Sequence, residues 1–169
     1  MLHTLNLSFC VELTDVSALG GCATLEVLSL SGCGQVTDIS SLVGCAMLRY
    51  LDLSECRRLT DVSALSGCAA LHTLELNRCG GLTDVSAAGC ASLHTLDLTG
   101  AGNVTDLPLS RCATLHTVIA WNCTGLTDVS GLASCAALRV LSLVGCRTDL
   151  SGLSAIRGGP GFASLALYT

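Results

Sequence analysis

The sequence predicts an α/β solenoid of short stacked repeats, with a parallel β-sheet on the concave face and 3₁₀ or short helical turns on the convex face. Three observations predict it. The chain resembles itself at a period of 22 or 23 residues almost from end to end. Within each unit, leucines first alternate and then recur every third residue, so strand-like and turn-like periodicities share one repeat. Finally, 50% of residues are hydrophobic but only 3% are aromatic, so the core must be layered from aliphatic side chains.

Repeats begin at Leu2, Leu25, Leu48, Leu71, Leu93, Leu115 and Leu138, and Leu165 opens a partial eighth, giving one array over residues 1–169. Overlaid, they read LxxLxLxxCxxLTDVSxLxxCAx, as in LRYLDLSECRRLTDVSALSGCAA from Leu48 to Ala70. Alternation in the first half turns Leu51 and Leu53 inward and leaves Tyr50, Asp52 and Ser54 outward on a short strand. One such strand cannot bury itself. The next repeat pairs with it in parallel and covers its leucines, so stability belongs to the array. The second half, LTDVSxLxxC, has the spacing of a 3₁₀ turn on the opposite side.

This pattern resembles the leucine-rich-repeat family, and the TDVSxL segment is similar to the short repeats of internalins and of phosphatase-regulating repeat proteins. Such proteins also select substrates for ubiquitin ligases, but the sequence carries no F-box, RING or catalytic segment that would assign that activity. One position departs from the family pattern. Where those proteins place Asn after the strand, this chain has Cys10, Cys33, Cys56, Cys79, Cys123 and Cys146. The mixture also resembles repeat proteins of kinetoplastid parasites, which implies a source and no specific function.

A second row, Cys22, Cys45, Cys68, Cys90, Cys112 and Cys135, brings the total to twelve cysteines, spaced by the repeat and never as CxxC. The spacing favours buried free thiols under the loops over disulfides or zinc. Asp15, Asp38, Asp61, Asp84, Asp106, Asp128 and Asp149 precede the second-half turns, where a carboxylate caps backbone N–H groups. The Gly-rich nonapeptide of calcium-binding solenoids is absent, so no metal site is expected. His72, His94 and His116, with His3 at the same place in the first repeat, form a ladder that could bind a metal or respond to pH. Duplication of LHTL accounts for it more simply.

The formal net charge is −5, and all eight basic residues are arginines, scattered at positions 49, 57, 58, 78, 111, 139, 147 and 157. No basic stripe exists for nucleic acid or anionic lipid. No run of about 18 apolar residues is present to span a membrane. MLHTLNLSFC lacks a basic leader, so a cytoplasmic location is expected. Because LHTLNL starts without a polar cap and LALYT reads as the first strand of another unit, the chain also reads as a piece of a longer solenoid. Repeats present identical groups in lines where catalysis needs different groups converging, so neither an enzyme nor a cofactor is expected.

Three breaks in the pattern are informative. The fifth repeat puts Ala101 at the cysteine position and Pro108 where Ser normally sits. The sixth strand reads VIAWNC, placing Ile119 and Trp121 on outward concave positions beside Gly100, Ala101 and Gly102. Trp121 is either a binding anchor or a filler of the space those small residues leave. After Cys146 the repeat shortens and then lengthens through a GGPGF loop, in which Phe162 either caps the last leucines or marks an insertion. The expected function is recognition of a protein partner, of unidentified nature, through Tyr50, Asp52, Glu75, Thr95, Asp97, Ile119 and Trp121. Charges on that face are mixed with Arg49, Arg78 and Arg139, so sign alone selects no ligand. The rival is a structural scaffold that self-associates through uncapped solenoid ends.

Overall fold

A computed structural model describes residues 1–86 and 91–148 and the backbone of a strand at 166–168; Cys90, Asp149, Leu165 and the GGPGF loop with Phe162 lie outside them. Eight three-residue strands form one parallel sheet in sequence order: β1 (Thr4–Asn6), β2 (Val27–Ser29), β3 (Tyr50–Asp52), β4 (Thr73–Glu75), β5 (Thr95–Asp97), β6 (Thr117–Ile119), β7 (Val140–Ser142) and β8 (Ala166–Tyr168). Each residue pairs with its equivalent in the next repeat, as in Leu51↔Leu74 and Leu74↔Leu96. The predicted fold class is therefore the observed one. No helix among the described residues is long and apolar enough to cross a membrane.

Side chains from the repeats stack into continuous apolar columns. Leu28, Leu51, Leu74, Leu96, Val118 and Leu141 form one, and Leu30, Leu53, Leu76, Leu98, Ala120 and Leu143 the next, all buried. The return half is a 3₁₀ turn at Ser17–Gly21, Ser40–Gly44, Ser63–Gly67 and Ser130–Ser134. In each, the aspartate two residues earlier accepts the N–H of the leading serine at 2.7 Å, as in Asp15–Ser17, Asp38–Ser40, Asp61–Ser63 and Asp128–Ser130. The expected capping role is seen directly. These bonds hold the Asp15 and Asp128 carboxyls below the usual carboxylate range. In the fifth repeat, Pro108 stands where that serine would be and has no N–H to give. No 3₁₀ turn forms there; Leu109 N–H instead bonds the Leu107 carbonyl at 2.8 Å.

No disulfide joins any two of the described cysteines. Within each row a thiol donates to a backbone carbonyl one repeat earlier: Cys33 to Leu7, Cys56 to Leu30, Cys79 to Leu53, Cys123 to Leu98, and on the other side Cys45 to Leu19 and Cys135 to Leu109. The S–H thus does what an asparagine amide would do, stitching neighbouring loops. Burial is not uniform, contrary to expectation. Cys10 is exposed and Cys22 and Cys146 are half-buried; no earlier repeat in this chain covers Cys10 and Cys22.

Burial raises the Cys56, Cys79 and Cys123 thiols to about 12 and Cys135 to about 11. Since the folded values exceed the ordinary 9.0, this stability is complete below pH 9.0 and is lost as pH rises toward 12. Thiol titration of the native chain should therefore label Cys10 at once, Cys22 and Cys146 slowly, and the eight buried thiols scarcely. After denaturation all twelve should react without reductant. A lower denatured count would mean disulfides and would contradict the thiol lattice.

Candidate protein-binding site on the concave face

Strand alternation sends Thr95 and the equivalents of Tyr50 to one concave row, and Asp52, Glu75, Asp97 and Ile119 to a second, in direct register across β3 to β6. Trp121 lies two residues beyond Ile119. Each predicted residue is on this face, and all are half-buried except Trp121, which is 47% exposed. Ser54, expected to face outward, is nearly covered. Asn77 explains this: its amide oxygen accepts from the Ser54 hydroxyl at 3.3 Å while its nitrogen donates to Asp97 Oδ1 at 2.6 Å.

The carboxylates are partly occupied by local structure. Asp52 Oδ1 accepts the Ser54 N–H and Asp97 Oδ1 the Thr99 N–H, each at 2.9 Å, and Ser29 donates to Asp52 Oδ2 at 3.2 Å. Tyr50 Oη donates to Glu75 Oε1 at 2.9 Å. Burial first, then the Glu75 hydrogen bond and the charges of Glu75 and Asp52, push the Tyr50 phenol up to about 12. None of Asp52, Glu75 and Asp97 is in an ion pair with a described residue. Three acids side by side in a parallel ladder repel one another, so the floor of this face favours a cationic neighbour.

Ile119 and Trp121 close one end of a hollow of ≈ 400 Å³ whose other walls are Ser54, Glu55, Asn77, Arg78, Asp97 and Thr99. The indole Nε1 donates to Ser142 Oγ at 2.5 Å, which anchors the ring toward the following repeat. Ala101 is fully buried in the cysteine column, and Arg78 Cγ lies 3.1 Å from where a Cβ on Gly100 would stand. The ring is thus held on the surface, and the space beside Gly100 is taken by Arg78.

Sequence reasoning missed the lip of the hollow. Phe9, Glu55, Arg78 and Asn122, with Gly32, Gly100 and Gly145, occupy one turn position with φ between 55° and 77°. A left-handed residue there lets its N–H reach the next repeat, as Arg78 N–H reaches the Thr99 carbonyl at 2.7 Å. Where the residue is not glycine, it projects a large side chain beside the concave face. Glu55 binds Arg57 at 2.8 Å and Arg78 at 3.1 Å, and those hydrogen bonds hold its carboxyl below the usual range. Glycines interspersed with larger residues at this repeat position were the available signal.

Leucine-rich-repeat family models match residues 1–44, as two copies, and residues 44–66. No curated protein sequence matches the chain. Among solved structures, internalin C2 of Listeria monocytogenes is similar with a TM-score of 0.77 and 26% identity, over 98% of this chain and 70% of that one. The functional domain of InlJ from Listeria monocytogenes, which includes a cysteine ladder, aligns at TM-score 0.66 and 21% identity over 98% of this chain and 34% of that one. The plant peptide hormone receptor RGFR1, solved in complex with RGF2, aligns at 0.65 and 16% over the same shares. The last two likenesses are of fold alone, and this chain spans about a third of each. The chain has the leucine-rich-repeat fold, which is in general that of binding scaffolds and not of enzymes.

Proposed function

We propose that this chain is a protein-interaction module, without catalytic activity of its own, that receives its partner on the concave face at the Ile119–Trp121 hollow. One observation carries the reading: an indole 47% exposed on a sheet face whose other outward positions are mostly polar. Exposed tryptophans beside a hollow are the residues on which binding energy concentrates. The Asp52–Glu75–Asp97 ladder leading to the hollow, which makes no ion pair with a described residue, suits a partner segment with an apolar side chain followed by basic ones. Described cysteines that form no disulfide with one another fit a reducing compartment, which favours a cytoplasmic location.

Trp121→Ala should weaken partner capture by about 2 kcal/mol or more, whereas Arg111→Ala, at an exposed arginine away from the hollow, should cost under about 1 kcal/mol. The melting temperature of Trp121→Ala should stay close to that of the parent. A fall in melting temperature with undiminished capture would make Trp121 a scaffold residue and refute the site. Light scattering over a concentration series should give a constant mass; growing oligomers would favour the rival scaffold reading.

A further inference from the structure

The position just before each strand holds His3, Glu26, Arg49, His72, His94, His116 and Arg139 in successive repeats. Its middle is unlike the rest of the surface. The His72 and His94 rings stack with centroids 4.1 Å apart and planes 10° apart, and His94 and His116 stack at 5.0 Å and 6°. His94 Nδ1 lies 2.7 Å from the Ser92 carbonyl and His116 Nδ1 2.5 Å from the Thr114 carbonyl. A carbonyl only accepts, so each Nδ1 carries the hydrogen and the neutral ring keeps its lone pair on Nε2. His94 and His116 therefore each present a proton-accepting Nε2 in one row, and His72, whose Nδ1 lies 3.2 Å from the Thr73 hydroxyl, stacks beside them.

The residues that flank the three rings at this repeat position are both arginines. Arg49 flanks it in the third repeat, with Nε 3.9 Å from Glu26, and Arg139 in the seventh, bonded to the Ala136 and Leu138 carbonyls. Glu75 and Asp97, three residues further along the same strands, make no ion pair with the rings. By contrast, His3 already has Glu26 at 3.1 Å. Burial, followed by the charges of His94, His116 and Arg49, holds His72 below the ordinary 6.5. Protonated rings 4.1 and 5.0 Å apart repel one another unless an anion lies along them.

We propose that Arg49, His72, His94, His116 and Arg139 form a recognition row for an acidic segment of a partner protein, engaged when the imidazoles carry protons. The row is separate from the Ile119–Trp121 hollow, so the two sites stand or fall independently. Carboxylates along it offset the repulsion between stacked imidazolium rings and draw protons onto them. By linkage, binding strengthens as pH falls through the range where the rings titrate.

The test is an NMR titration of the four histidine Cε1–H signals with and without a hexaglutamate peptide, at about 0.15 M salt to screen distant charges. With peptide, the midpoints of His72, His94 and His116 should rise by about half a pH unit or more, and that of His3 should rise less. Peptide affinity should tighten about tenfold between about pH 7.5 and about pH 5.5. In the Arg49→Gln/Arg139→Gln double variant, whose changes lie outside the core, the rise should shrink. His72→Gln/His94→Gln/His116→Gln should abolish the pH dependence. An equal rise at His3, no rise, or an affinity indifferent to pH would overturn the proposal, and the arginine variant keeps it testable even if the histidine variant fails to fold.

Discussion

Leu74→Ala should destabilise the protein by about 2 to 5 kcal/mol, while Leu5→Ala should cost clearly less. Leu74 sits on β4 with no exposure, in register between Leu51 and Leu96. Hydrogen bonds fix the spacing of the strands on both sides, so neither neighbour can move in to fill the void. Leu5, on β1, is half-buried and has a repeat on one side within this chain, so its environment already relaxes. Because each repeat touches only its neighbours, the void at Leu74 also weakens the coupling between the halves of the array. Amide exchange should then show protection falling from the central repeats toward the first. Equal protection from repeat to repeat, with equal costs at Leu5 and Leu74, would contradict an array-like solenoid.

Most of this architecture was legible because a repeat writes each structural requirement several times. The leucine columns, the 3₁₀ turns and the Asp15, Asp38, Asp61 and Asp128 caps follow from spacing alone. The concave positions of Tyr50, Asp52, Glu75, Thr95, Asp97, Ile119 and Trp121 followed from strand alternation. What spacing could not show was lateral chemistry between repeats. The Ser54–Asn77–Asp97 chain of hydrogen bonds depends on three non-identical residues meeting at neighbouring positions. The Trp121–Ser142 bond likewise needs the rotamer of one ring, which no periodicity encodes. Stacking of His72, His94 and His116 was foreshadowed by their shared register, but the orientation of the rings came from carbonyls at Ser92 and Thr114.

Gly131→Ala should cost about 3 kcal/mol, although alanine is native at the equivalent positions Ala18 and Ala64. The difference lies in the repeat before it. Pro108 removes the N–H that Asp106 would cap, the fifth repeat forms no 3₁₀ turn, and its backbone lies against the sixth. A Cβ on Gly131 would overlap the Leu107 carbonyl oxygen and stand 2.9 Å from the Pro108 Cα. Both are backbone atoms, so the clash cannot be relieved by turning a side chain; the fifth and sixth repeats would have to part. In the second repeat the same position carries Ser41, whose hydroxyl donates to the Val16 carbonyl at 2.9 Å, showing that a regular 3₁₀ turn leaves room for a side chain. Gly131 therefore answers Pro108 and not a requirement of the repeat itself. A double-mutant cycle separates the two explanations. With Pro108→Ser restoring the cap donor and the turn, Gly131→Ala should lose most of its cost. A penalty unchanged in that background would place the cause in Gly131's own repeat, and a cost below about 1 kcal/mol with Pro108 in place would show that the fifth repeat yields more readily than its packing indicates.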